Sequence, residues 1–122
     1  MNEYSMMTQE LQELAALSME HGQIPSGLYD QYHVLRGLRD VNGKGVLAGL
    51  TDISTITSSK EVNGKMVPCD GELRYRGYDI HDLVDGFVAE PRYGYEEVAN
   101  LLYFGGLPKG EKLKRFQKLI GS

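Results

Sequence analysis

Residues 71–80 read Gly71-Glu72-Leu73-Arg74-Tyr75-Arg76-Gly77-Tyr78-Asp79-Ile80, and three local signals follow one another within them. Leu73 and Tyr75 alternate with Arg74 and Arg76, the period-two pattern of a half-buried strand whose other face is basic. Gly77 ends that strand with a chain reversal. Asp79 then stands where an N-cap carboxylate takes a backbone N–H near Asp82. Ile80, Leu83, Val84 and Phe87 follow at i, i+3, i+4 and i+7, the apolar stripe of a two-turn helix. Capping accounts for the offset of three between Asp79 and Asp82, so the pair is not read as an acid–base couple.

Working outward toward the C-terminus, Glu96 and Glu97 place negative charge at a helix start. Val98, Leu101 and Leu102 form its stripe, and Gly105-Gly106 with Pro108 end it. Glu111 to Ile120 sets Leu113, Phe116 and Ile120 on one face of a last helix, with Lys112, Lys114, Arg115 and Lys118 around the rest. In the other direction, Asn63-Gly64 sits at the centre of Glu61 to Val67. This is the dipeptide that most readily adopts the two positive φ values of a type I′ turn, so a small hairpin is expected there. Val46 to Thr57 is rich in β-branched residues. Farther upstream, Leu11, Leu14, Ala15 and Leu17 give Thr8 to Glu20 amphipathic helical spacing that stops at Gly22, and Leu28 to Leu35 has room for a turn or two of helix. The fold expected from these patterns is mainly α, multi-helical, with a small β-hairpin. No internal repeat, low-complexity tract or linker interrupts it, so residues 1–122 read as one unit.

Composition narrows the functional classes. With 122 residues, 41% hydrophobic and 25% charged, the chain is of ordinary globular make-up, and its 15 glycines imply many turns and short elements. The net charge is −4. Residues 1–35 hold five acids (Glu3, Glu10, Glu13, Glu20, Asp30) and no Lys or Arg, which disfavours a nucleic-acid surface. No run approaches the ~18 apolar residues of a membrane span. No basic residue precedes Arg36, so no leader pattern is read, and one cysteine, Cys69, makes no internal disulfide. A cytoplasmic protein is expected.

Few groups point to chemistry. The hydroxyls at 51–59 have no nucleophile elbow around them, and Gly43-Lys44-Gly45 lacks the spacing of a phosphate loop. His21, His33 and His81 lie in separate elements without an i, i+4 partner and read as surface or capping residues. With one thiol they make no metal site. Arg36 and Arg39 flank Gly37-Leu38 before a Gly-rich run, where guanidinium groups and exposed N–H donors suit a phosphate or carboxylate. A solvated turn or an intersubunit ion pair explains the same spacing. Arg74 and Arg76 are expected to pair with acids on a neighbouring element.

The stretch 71–80 resembles the Leu/Ile-x-Tyr/Phe-Arg-Gly-Tyr-Asp/Ser-Ile motif of the citrate synthase family. Tyr95-Glu96-Glu97-Val98-Ala99-Asn100-Leu101-Leu102-Tyr103-Phe104-Gly105-Gly106-Leu107-Pro108 is similar to a second segment of that family, in the same order. Gly45-Val46-Leu47-Ala48-Gly49-Leu50-Thr51-Asp52-Ile53-Ser54 is similar to a third, so the likeness covers about residues 36–120. Two departures stand out. Ser58 to Asp70 is longer than in the shortest members, and Lys109-Gly110 replaces the usual Thr or Ser before the last helix, leaving it a poorer cap.

The resemblance implies an acyltransferase that condenses acetyl-CoA with oxaloacetate to give citrate and CoA, in a mainly helical homodimer with a large and a small domain. In that family an Asp takes a proton from the acetyl methyl, one His stabilises the enolate and a second assists attack on the carbonyl. On this likeness the chain is expected to be the amino-terminal part of the large domain, with no catalytic residue of its own, no metal and no tightly bound cofactor. By itself it is expected to be inactive, a scaffold and dimerisation portion. Arg39, in Gly37-Leu38-Arg39, resembles the Gly-Met-Arg whose arginine reaches the CoA phosphates. Two alternatives stand beside this reading: a 2-methylcitrate synthase using propionyl-CoA, and a stand-alone, non-catalytic binding or assembly module. The apolar faces of the helices at 94–105 and 111–120 imply homo-oligomers.

Overall fold

A computed structural model describes residues 6–35, 37–40, 42–43 and 45–121. Among them the chain forms α1 (Gln9–His21), α2 (Gly27–Gln31), β1 (Ser54–Val62), β2 (Lys65–Tyr75), β3 (Tyr78–Asp79), α3 (Ile80–Ala89), α4 (Tyr95–Phe104) and α5 (Glu111–Ile120). The strands make one antiparallel sheet in the order β1-β2-β3.

That sheet corrects the expectation of a mainly α fold with a small hairpin. Asn63 (φ 52°) and Gly64 (φ 76°) do form the tight turn, pairing Val62 with Lys65. The ribbon, however, runs on from there to Ser54 opposite Tyr75. Cys69-Asp70-Gly71, which separates two short strands when read as sequence, is instead an irregularity inside one long strand. Thr57 pairs with Glu72 and Ser59 with Pro68, leaving Ser58 to face those three residues. The segment expected at Glu72 to Arg76 is therefore the end of β2. Val46 to Ile53, despite its β-branched residues, joins no strand of the sheet.

The helices follow from their stripes and ends. Thr8 caps α1, its Oγ1 accepting from Leu11 N at 3.3 Å. Gly105, at φ 79°, closes α4 with its N–H on Leu101 O. Gly110 gives α5 no side-chain cap, yet α5 starts at Glu111, because Lys112 N and Lys114 N bond the Lys109 and Gly110 carbonyls at 3.2 Å. Leu83, Leu101 and Phe116 are the buried hydrophobic residues among those described, one from each of α3, α4 and α5. The Phe104 ring meets Phe116 edge-on at 5.9 Å, a favourable aromatic geometry. Arg92 joins α3 to α4. It forms a two-pronged pair with Glu97 (Nε–Oε1 2.5 Å, Nη2–Oε2 3.3 Å) and donates through Nη1 to Gly86 O at 2.9 Å and Glu90 at 2.6 Å.

No helix of the described residues is long and apolar enough to cross a membrane.

Candidate functional site

The sequence around Tyr75-Arg76-Gly77-Tyr78 folds as a second two-residue hairpin turn. Tyr75 pairs with Tyr78, and both central residues have positive φ, Arg76 at 48° and Gly77 at 87°. Glycine takes this conformation freely; arginine does so at a cost of about 1–2 kcal/mol. The Arg76 side chain offsets that cost by what it reaches. Nη1 donates to His21 O at 3.1 Å and forms an ion pair with Asp52 Oδ2 at 2.8 Å, while Nη2 donates to Leu102 O at 3.1 Å. Its backbone N–H bonds Ile53 O at 2.8 Å.

One guanidinium thus meets the last residue of α1, the last turn of α4 and the residues just before β1. Two of its acceptors are carbonyls at helix C-termini, where positive charge is favoured by the helix dipole. The side chain is 8% exposed, and Nε, buried, has no hydrogen-bond partner. The expected acid pairing is found for Arg76, but from a turn and not from the strand face it was assigned to share with Arg74. Arg74 lies on β2, within 3.8 Å of Glu72 and 3.9 Å of Asp79.

Beside the turn, Asp79 caps α3. Its Oδ1 accepts from His81 N at 2.9 Å and lies 2.9 Å from His81 Nδ1, so the partner is His81 and not Asp82. The His81 backbone N–H, its ring and the Arg74 charge together hold the Asp79 carboxyl below the usual aspartate range. The imidazole is 83% exposed, so this Asp–His contact is a solvated cap. His33 has left-handed backbone, at φ 50°. Among the described residues no group of three His, Cys, Asp or Glu is placed to hold a metal ion.

Arg39 lies on a separate loop. It bridges Gly45 in antiparallel fashion, and its Nη1 donates to Gly43 O at 2.6 Å across a turn in which Asp40 Oδ1 accepts from Asn42 N at 2.9 Å. The residue is exposed. Arg36 and Lys44 lie outside the described residues.

A third feature is an open cleft of about 450 Å3 between α1, α4 and α5. Leu14, Leu17, Phe104, Leu107, Phe116 and Leu119 line it, and Arg115 reaches Glu13 across it at 3.7 Å. Sequence reading missed both the Arg76 clamp and the Arg92 pair. The acceptors of Arg76 are mostly backbone carbonyls, one of them 55 residues away, and a carbonyl has no signature in a residue pattern.

Comparison with known proteins adds to this geometry. Residues 37–122 match the family described as citrate synthase, C-terminal domain. This corrects the expectation of an amino-terminal part, since the description that matches most of the chain is that of a C-terminal domain. The chain is 36% identical over 73 residues to 2-methylcitrate synthase 1 of Corynebacterium glutamicum, covering 60% of this chain and 16% of that relative. The chain therefore spans a small fraction of that relative's length. No solved structure matches it.

Proposed function

The chain belongs to the citrate synthase family, and from that premise we propose that it is part of an acyltransferase that condenses a short acyl-CoA thioester with oxaloacetate. The observation that carries this reading is the family match over residues 37–122, a range that includes the Arg76 turn, the Asp79 cap and α4. Acetyl-CoA, giving citrate and CoA, is the first substrate assignment. Propionyl-CoA, giving 2-methylcitrate, is the second, and the similarity to a 2-methylcitrate synthase favours it.

This chain's share is structural, with one ligand contact. His21, His33 and His81 belong to a helix end, a turn and a cap, so the proton transfers of the condensation are assigned to residues outside these 122. Isolated, the chain is expected to be inactive. Arg39 is assigned to the CoA phosphates: a guanidinium on an anchored loop offers the paired, planar donors that phosphate oxygens accept.

Release of free CoA thiol in the presence of oxaloacetate tests the reading. The protein encoded by the whole reading frame containing this sequence should turn over with acetyl-CoA or propionyl-CoA, and the ratio of kcat/KM assigns the acyl group. No turnover with either thioester would leave a non-catalytic binding module, and turnover by the 122 residues alone would overturn the placement of the chemistry. In the active protein, Arg39→Ala should raise KM for the thioester about tenfold with kcat little changed, the pattern of a lost uniform binding contact.

A further inference from the structure

His21 and Asp52 are 31 positions apart, yet both reach one nitrogen, Nη1 of Arg76. The chain that leaves α1 at His21 and enters β1 after Asp52 is therefore closed on itself at a single guanidinium. It also has bonds of its own: Leu35 N to Leu47 O at 2.8 Å, Val46 N to Leu38 O at 3.2 Å, and the Arg39–Gly45 bridge. Outside this clasp the attachments are slight. No residue of α1 is buried, and its ion pair to α5, Glu13–Arg115, is exposed on both sides, the kind of pair that contributes little. A 13-residue helix is marginal in water without tertiary support.

We propose that Arg76 is a clasp: it docks α1 against the C-terminal end of α4 and ties the described residues between His21 and Asp52 into a closed excursion, and when it lets go, α1 and the excursion release together as one cooperative unit. The left-handed backbone at Arg76 is part of the device, since the two-residue turn fixes the position from which its side chain reaches all three partners. Opening uncovers the wall formed by Phe104, Leu107 and Phe116, which lines the same cleft as Leu14 and Leu17. Because the excursion contains Arg39, the same event frees the loop that presents it. The clasp itself rests on contacts within this chain and is independent of what Arg39 binds.

Amide hydrogen exchange on the 122-residue chain, resolved by residue, tests this. In Arg76→Met, the amides of α1 and those of Leu35 and Val46 should exchange about tenfold faster or more, while Leu101 in α4 and the β1–β2 pairs keep their protection. In Asp52→Ala, Leu35 and Val46 should accelerate while α1 stays docked, because Arg76 still holds both helix ends. Equal loss of protection in every element, or none in α1, would overturn the proposal. Should Arg76→Met fail to fold, the unaltered chain in rising urea decides. Leu35, Val46 and the α1 amides should share one opening step with a smaller denaturant dependence than Leu101, and separate steps would sink the idea.

Discussion

At the scale of single residues, Asp79 makes a sharp prediction about pH. Its carboxyl is held below the ordinary aspartate value by the bonds from His81 and by Arg74, so the folded chain binds that proton less readily than the unfolded chain does. Its contribution to stability is full above the unfolded value and is lost as pH falls through the lower, folded one. Melting temperature should therefore drop in the window below about pH 4. Asp79→Asn, which caps a helix without titrating, should flatten that part of the profile. Gly94 carries a steric prediction. A Cβ built there runs into the ring of Phe87, so Gly94→Ala should destabilise the α3–α4 junction by about 1–3 kcal/mol, read as a lower urea midpoint. The alternative of ring displacement would show as a shifted Phe87 signal at unchanged midpoint. Asp79 could be read from the sequence because a cap acts over two or three positions. Arg76 could not, because what makes it matter is the meeting of distant backbone segments.

Among the elements, those set by local chemistry are the ones legible without coordinates. The Asn63-Gly64 turn and the Gly105 stop of α4 each depend on a few adjacent residues and are found as read, and Asp79 caps α3 as read, though on His81 N and not near Asp82. The extent of the β ribbon was not legible. Strand pairing across the irregular Cys69-Asp70-Gly71 segment depends on which partner lies opposite, and composition there suggests a break. The β-branched residues before Ser54 stay out of the sheet for a related reason: Val46 and Leu47 bond the loop backbone at Leu38 and Leu35 instead. Gly64→Ala should cost about 1 kcal/mol through its positive φ, seen as lost cross-strand contacts at Val62–Lys65 while the Ser54–Tyr75 end persists. Opposite behaviour, with loss beginning at the Tyr75 end, would show that the turn does not nucleate the ribbon.

For the molecule as a whole, surface is the informative quantity. The chain exposes 10,080 Å2, whereas a compact monomer of its mass exposes about 6,600 Å2. The surplus includes apolar side chains on several elements: Ile56 at 79% and Met66 at 61% exposed on the ribbon, Val88 at 67% on α3 and Tyr103 at 69% on α4. The uncovered apolar surface is thus broader than the two C-terminal helices to which the sequence assigned it. Sedimentation should show mass rising with concentration through the micromolar range. A single monomeric species throughout would mean these side chains are tolerated in water.

Leu83, Leu101 and Phe116 have a calorimetric corollary. A body that hides so few large side chains has little greasy area left to hydrate when it melts. Its heat-capacity increment should then fall well short of the ~12–15 cal/mol/K per residue of well-filled domains. Heating should trace a broad, shallow endotherm in place of a sharp peak, and cooling toward freezing should weaken the fold hardly at all.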